Sequence, residues 1–260
     1  GTIGKIILRA VLSSADIKVI VLSHNTSKAT PSSVTEADLE SALKGQDVVF
    51  SALGATGFHD QKKFIDASIR AGVKRFIPPE FSSNTYSDAF IQLVPLVQQK
   101  TVVLEYLSSK ESEGLTWTDI TRSHHRVPRL RHCVLYCNHL DGSDKAFTPL
   151  NEKQLGDAVV AVLNIDHANA NQCLDVTSVE TSQKEILGAL EEAISSKWAV
   201  SSTSTDAEVS VAIKKLCTGD INGVLTLVRG TRYANIPGLR ASYAKDEMLA
   251  NISLGFRNKM

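Results

Sequence analysis

The first half of the chain alternates short apolar runs with segments whose apolar residues recur every three or four positions. Such alternation predicts strands separated by helices. Near-continuous apolar strands between helices are typical of a parallel sheet covered on both faces, so we expect a doubly wound α/β fold. The predicted elements are helices over about 4–13, 39–45, 60–72 and 90–107, the last bent near Pro95, and buried strands over 18–22, 48–53, 75–77 and 115–120.

The second half is less regular and richer in helical spacing. Its predicted helices cover about 155–163, 183–194, 206–216 and 222–228, with a strand over 173–176 and a short extended stretch from Trp198. We therefore predict a sheet domain over 1–121 and a smaller, mainly helical lobe over 122–260, from which residues 173–177 return to the sheet.

Charge and composition remove several classes of function. The 260 residues include 28 basic and 28 acidic side chains, whereas general binders of nucleic acid or anionic membranes need excess basic charge. The apolar runs are too short to span a bilayer, and no secretory leader precedes Gly1. Four cysteines at irregular spacing do not suggest a disulfide framework. We expect a cytoplasmic protein without nucleic-acid or membrane partners.

Two glycines stand where the first helix begins. The run Gly1, Thr2, Ile3, Gly4 opens a helix and precedes a predicted strand. In a dinucleotide-binding loop, such glycines let the backbone approach a pyrophosphate at the helix N-terminus. An ordinary helix start has the same spacing, so on the pattern alone both interpretations stay open.

The ends of two predicted strands bear on the choice of cofactor. NAD sites place an acid after the second strand, yet residues 23–28 contain none and carry His24 and Lys28, which favours NADP(H). A polar loop without function is the alternative. Small residues that end the next strand would let a dinucleotide pass, or would merely permit a tight turn; they are Ser51, Ala52, Leu53 and Gly54.

Several longer stretches resemble one family. Residues 72–81 read GVKRFIPPEF, and NmrA-like and isoflavone-reductase-like members of the atypical short-chain dehydrogenases read GVKRFIPSEF there, with serine in place of Pro79. Residues 1–4 resemble the end of that family's GATGTIG loop. Fungal members are the most similar. The resemblance continues through 47–54, 61–71, 115–120, 147–148, 154–159, 182–187, 216–223 and 251–255.

This resemblance implies a Rossmann-type domain over 1–121, a substrate lobe over 122–260 and NADPH as hydride donor. It also implies cofactor contacts from Pro78 and Phe81. Reductases of the family carry a lysine in the long helix after this motif, where Lys100 lies here. Such a lysine hydrogen-bonds the nicotinamide ribose and supplies a proton or positive charge at a developing oxyanion. A solvated helix lysine is the alternative.

The chain also departs from the family pattern. The first strand and the first glycine of the loop are absent, residues 29–39 are too short for a further strand, and His24 stands where arginine is frequent. Because the missing strand is central to this fold, we expect the chain as written to be unstable or to bind NADPH weakly.

Residues 122–139 are the strongest departure, because a basic, histidine- and cysteine-rich stretch replaces the family's apolar pocket segment. We interpret it as a reading-frame or splice error, poorly packed and without metal. The alternatives are a basic nucleic-acid patch and a zinc site. The zinc ligands would be His132, Cys133, Cys137 and His139, although their spacing is poor.

The favoured hypothesis is an NADPH-dependent reductase of a small aromatic or enone-like substrate, assisted by Lys100. One alternative is a non-catalytic regulator that senses the dinucleotide and acts on a protein partner. Another is a degenerate, inactive relative.

Overall fold

A four-stranded parallel sheet forms the centre of the molecule. It has the order β1-β2-β3-β7 and is built from β1 (Val48–Phe50), β2 (Arg75–Ile77), β3 (Thr116–Thr121) and β7 (Gln172–Asp175). The computed structural model describes residues 1–22, 35–81, 87–121, 123–124, 136–141, 143–164, 168–220, 222–233, 236–239, 241–242 and 249–256. Residues 172–175 form β7, which pairs with β3 from Thr118 to Thr121.

The helices of the described ranges are α1 (Thr2–Leu12), α2 (Glu36–Leu43), α3 (Gln61–Arg70), α4 (Asp88–Leu93), α5 (Gln98–Ser109), α6 (Glu152–Asn164), α7 (Gln183–Ile194), α8 (Thr205–Cys217) and α9 (Asn222–Tyr233). Some of them cover both faces of the sheet, as the apolar pattern predicts. The doubly wound α/β class is therefore confirmed. No helix in these ranges is long and apolar enough to cross a bilayer.

Two apolar cores lie on opposite faces of the sheet. Helices α1 and α6 pack on one face, where Ile120 and Leu155 are fully buried. Helices α2, α3 and α5 pack on the other, around Phe76 and Leu104. Gly156 lets α1 and α6 approach closely, because a Cβ added to it would lie 2.6 Å from the Cβ of Ala10.

The long helix predicted over 90–107 is interrupted rather than bent. Helix α4 ends at Leu93, a short 3₁₀ turn covers Pro95–Val97, and α5 begins at Gln98. Proline disfavours the helical conformation of the residue before it, and Val94 has φ −129° and ψ 74°. The two halves then enter different cores. Phe90 and Val94 pack in a third core, with Ala212 of α8 and Leu227 of α9.

The strand predicted over 18–22 is wrong. The backbone there has no ladder partner among the described residues, and Ile20, Val21 and Leu22 are 61%, 61% and 55% exposed. A strand forms only where another backbone accepts its hydrogen bonds, and β1, with β2 on one side, has no described strand on the other. For the same reason β1 is half-buried and shorter than predicted.

Parts of the unusual 122–139 stretch are in β ladders, which we did not predict. Strand β4 (Ser123–His124) pairs with β6 (Pro149–Leu150). Strand β5 (Tyr136–Leu140) pairs along its whole length with β8 (Ala199–Thr203). Residues 125–135 lie outside the described residues. At its two ends this stretch thus has ordered backbone partners.

Candidate active site

The N-terminus of α1 lies against the carboxyl end of β1. A Cβ added to Gly4 would lie 3.3 Å from the Cβ of Ala52, so the absence of a side chain allows this close approach. Gly1 caps the helix without any side-chain hydrogen bond, and no acidic residue lies in the first turn. Thr2 is exposed and Ile3 is half-buried against the α1–α6 core. The first amides of α1 and its dipole therefore suit an anionic group at this edge.

The turn that follows β1 brings small residues to the same edge. Ser51 is buried, and its backbone N–H donates to the carbonyl of Ile77 over 2.9 Å. Its hydroxyl has no hydrogen-bond partner among the described residues. Ala52 and Gly54 are exposed and Leu53 is half-buried. An unpaired hydroxyl beside an exposed turn and an uncapped helix fits a polar ligand such as a dinucleotide.

Residues 78–81 follow β2 and form the buried wall of this edge. Pro78 and Phe81 are both buried. The Phe81 ring stacks on Phe50, with centroids 5.2 Å apart and an interplanar angle of 20°. This contact attaches the segment after β2 to the end of β1, so two of the predicted cofactor-contact segments form one surface.

Lys100 lies in the first turn of α5 and is only 7% exposed. Its Nζ donates to the carbonyls of Pro79 and Glu80 over 3.2 Å and 2.5 Å. The Glu80 carboxylate lies 3.6 Å from the same Nζ, and the Phe58 ring centroid is 5.5 Å away. The alternative of a solvated helix lysine is therefore wrong, because the ammonium group is buried and held at the carboxyl end of β2.

Three buried polar side chains of this region were missed from the sequence. Asp119 in β3 and Glu80 are 1% and 3% exposed, and Gln61 at the start of α3 is fully buried. Neither polar atom of the Gln61 amide has a hydrogen-bond partner among the described residues. A signal existed for two of them. Asp119 is a carboxylate within an apolar strand, and Gln61 shares the spacing of Ile65 and Ser68 on the buried face of α3.

Burial dominates the electrostatics of Asp119. Loss of solvation raises the pKa of its carboxyl to about 8, and the charge of Glu80 acts in the same direction. The Thr121 hydroxyl, the charge of Lys100 and the Cys173 thiol oppose this rise in pKa. The Thr121 hydroxyl donates to Asp119 Oδ2 over 2.9 Å, whereas Asp119 Oδ1 has no partner in the described part of the chain.

Of the other predicted site residues, Cys137 and His139 are within the described part of the chain. His24 and Lys28 lie outside the described residues, as do His132 and Cys133. Cys137 and His139 are in β5, which pairs with β8 rather than with the central sheet. Within the described ranges, no group of three or more His, Cys, Asp or Glu side chains is arranged to hold a metal ion.

Comparison with known proteins settles the family. Residues 1–121 match the model of the NmrA-like family. An oxidoreductase, aprR, of Aspergillus flavus is 31% identical over 278 aligned residues, which cover 99% of this chain and 93% of the relative. The chain belongs to the NmrA-like family. The resemblance inferred from residues 72–81 is thereby confirmed.

Solved structures support the same fold for this NmrA-like chain. An isoflavone reductase is 18% identical, with a TM-score of 0.70 over 99% of this chain and 93% of its own. Leucoanthocyanidin reductase of Vitis vinifera, solved as a binary complex with NADPH, is 16% identical with a TM-score of 0.62. That match covers 81% of this chain and 73% of the reductase. At these identities the likeness establishes the Rossmann-type architecture.

Proposed function

We propose that this chain is an NADP(H)-dependent reductase of a small aromatic or enone-like molecule. The observation that carries the proposal is the buried Lys100 ammonium, held at the carboxyl edge of the sheet beside the residues 78–81 wall. Ligands in open α/β sheets bind at that edge. The fungal oxidoreductase aprR, and a similar reductase solved with NADPH, support the same class of reaction.

Different residues at this edge would bind the cofactor and the substrate. The first amides of α1, with Gly1 as the N-cap, would hold the pyrophosphate. Ser51 and Gly54 would leave room for the rest of the cofactor to extend toward Phe81. When bound, NADPH supplies a hydride. Lys100 would orient the substrate oxygen and donate a proton to it, because a buried ammonium is a stronger electrostatic partner than a hydrated one. To do so, Nζ must exchange one of its carbonyl acceptors for the substrate.

Cofactor choice is tested by titrating NADPH and NADH separately against intrinsic tryptophan fluorescence. We expect NADPH to bind more tightly, because residues 23–28 offer His24 and Lys28 and no acid to a ribose phosphate. Tighter binding of NADH contradicts this part of the proposal. The matched variant Lys28→Glu should reduce the preference for NADPH and leave NADH binding similar or stronger.

The role of Lys100 is tested by turnover of NADPH with a panel of enones and phenolic substrates. We expect Lys100→Ala to lower turnover by at least about 10²-fold, the usual size of a lost proton donor. Burial of Lys100 means that alanine also destabilises the fold, so Lys100→Met, which keeps the apolar stem, is the second variant. Lys153→Ala is the control, since that helix lysine is 85% exposed. Retention of most activity by both Lys100 variants would show that the residue is misassigned.

A dinucleotide-sensing regulator is the second candidate function. The observation in its favour is that Lys100 Nζ already donates to Pro79 and Glu80, as a purely structural lysine would. This candidate predicts NADPH binding without turnover by the wild-type chain across the whole panel. It also predicts that Lys100→Met lowers the free energy of unfolding, while neither the wild type nor the variant turns over NADPH.

A further inference from the structure

Beneath the proposed substrate position lies a buried cluster of charged groups. Lys100, Glu80 and Asp119 are 7%, 3% and 1% exposed. Lys100 and Glu80 are paired, with 3.6 Å between Nζ and the carboxylate. Asp119 interacts with both through charge, yet its Oδ1 has no hydrogen-bond partner among the described residues. A buried carboxylate that is ionised without full hydrogen bonding is costly.

The groups that act on Asp119 come from several elements. Helix α5 contributes Lys100, the segment after β2 contributes Glu80, and Thr121 follows two positions along β3 itself. Strand β7 contributes Cys173, which stands beside Asp119 in the ladder. Asp175 lies two residues further along β7 and so points to the same face. It is a third carboxyl on this side of the sheet and is 8% exposed.

Arg75 does not face this cluster. It lies in β2, but its guanidinium donates to the Val162 carbonyl of α6 over 3.2 Å, on the opposite face of the sheet. Asp119 is the group of the cluster whose neutral form is favoured, because burial and the Glu80 charge both raise its pKa.

We propose that Asp119 is a positioning residue that acts through Lys100. In its neutral form Asp119 leaves the Lys100–Glu80 pair balanced and the Lys100 proton available, and in its ionised form it adds a second negative charge that holds this proton. The inference rests on the proposed reductase function only for its catalytic consequence. The electrostatic link between Asp119 and Lys100 is a property of the protein without any ligand.

A bound dinucleotide would supply the substrate with a hydride and its two electrons. One Lys100 N–H bond breaks as an O–H bond forms on the substrate, which leaves a neutral amine. The amine takes its proton back from water. Asp119 exchanges no proton with the substrate in this scheme and changes only how readily the N–H bond breaks.

The ligand-free test is ¹³C NMR of the full chain labelled at the aspartate carboxyl carbons, titrated from pH 4 to pH 10. The resonance of Asp119 is the one absent from Asp119→Asn. We expect it to titrate near pH 8. Lys100→Met removes a positive neighbour and should move this midpoint upward, whereas Glu80→Gln removes a negative one and should move it downward. Opposite shifts would not arise from a merely structural role.

The catalytic test is the pH profile of turnover. A single ionisation near pH 8 should lower the wild-type rate about tenfold one pH unit above its midpoint. Asp119→Asn should keep its rate there, and Asp157→Asn, at a partly exposed aspartate of α6, should behave as wild type. An Asp119 midpoint below pH 5, or one unmoved by both neighbouring variants, overturns the inference. If the shifts appear but no substrate is turned over, the proposed reductase function fails and the electrostatic link stands.

Discussion

The two sides of the central sheet differ in how completely they are paired. On one side, β3 lies between β2 and β7, and Ile120 is fully buried. On the other, β1 has no described neighbour beyond it, and Ile20 is 61% exposed. Both residues belong to β-branched, apolar runs of the kind that predicts a buried strand.

The difference shows that an apolar run supplies only half of what a strand requires. Ile120 is buried because β7 accepts its backbone hydrogen bonds and α1 and α6 cover its side chain. Residues 17–22 carry a similar pattern without a described backbone partner. Their fate is therefore set by the sheet edge available to them rather than by their own propensity.

Supplying a partner strand should have the largest effect. We expect an apolar strand ending in Gly-Ala-Thr, fused ahead of Gly1, to pair with β1 and to cover Ile20, Val21 and Leu22. Burying these side chains should stabilise the fold by on the order of 3–5 kcal/mol. Differential scanning calorimetry and NADPH titration measure the result. A fused strand carrying lysine at its apolar positions is the control. If the unfused chain already melts cooperatively and binds NADPH at low micromolar concentration, the contrast between the two sides is wrong.

A pair of matched isoleucine substitutions measures the contrast directly. Ile120→Ala should lower the free energy of unfolding by about 2–5 kcal/mol, because it opens a cavity in a fully buried core. Ile20→Ala should change it by less than about 0.5 kcal/mol, since the side chain is mostly exposed. Urea denaturation of both variants provides the comparison. A similar loss in both would mean that the Ile20 side chain is buried in solution.

Two helix glycines test how closely α1 packs against α6, near the side of the sheet where β1 has no described neighbour. Gly156→Ala should destabilise the chain by about 1–3 kcal/mol, because its new Cβ would collide with Ala10. Gly188→Ala is the matched control in α7, where a Cβ would meet nothing within 4 Å. The control should stabilise by up to about 1 kcal/mol through helix propensity. Equal behaviour of the two variants in thermal melts would mean that α1 and α6 do not pack closely.

The paired side should also show a pH-dependent stability. The pKa of Asp119 is raised to about 8 in the folded chain, so the folded state retains a proton that the unfolded state releases. Its contribution is fully present below the ordinary pKa of aspartate and is lost as the pH rises toward 8. We expect a slope of at most about 1.4 kcal/mol per pH unit in the wild type. Asp119→Asn should remove most of it when urea midpoints are compared between pH 5 and pH 9.

Where local patterns decide the outcome, the sequence predicted the structure well. The predicted helix over 183–194 is α7, with the same bounds. Its start is fixed by neighbours in the chain, because Ser182 and Glu185 form a reciprocal capping box. The break at Pro95 was predicted only as a bend. Its extent depends on α4 joining a different core, which is a contact between residues far apart in the chain.

The candidate site could be predicted only in part, for a related reason. Lys100 was found through the family resemblance, since its spacing alone describes any helix lysine. Its pairing with Glu80 depends on how α5 returns to the end of β2. The burial of Asp119 likewise depends on β7 and α5, which follow or precede it by many residues. The order of charged residues along the chain does not reveal which of them lie close together in the folded structure.

The break at Pro95 has a consequence for how the molecule opens. It divides what would be one cooperative helix into two segments, of which α4 packs with α8 and α9 and α5 packs on the sheet. Cooperative units of a protein open separately and expose their amides to hydrogen exchange together. The amides of α4 should therefore exchange at the rate of α8 and α9, while those of α5 exchange with the sheet. Lys100, at the start of α5, would remain protected through openings that release the helix immediately before it.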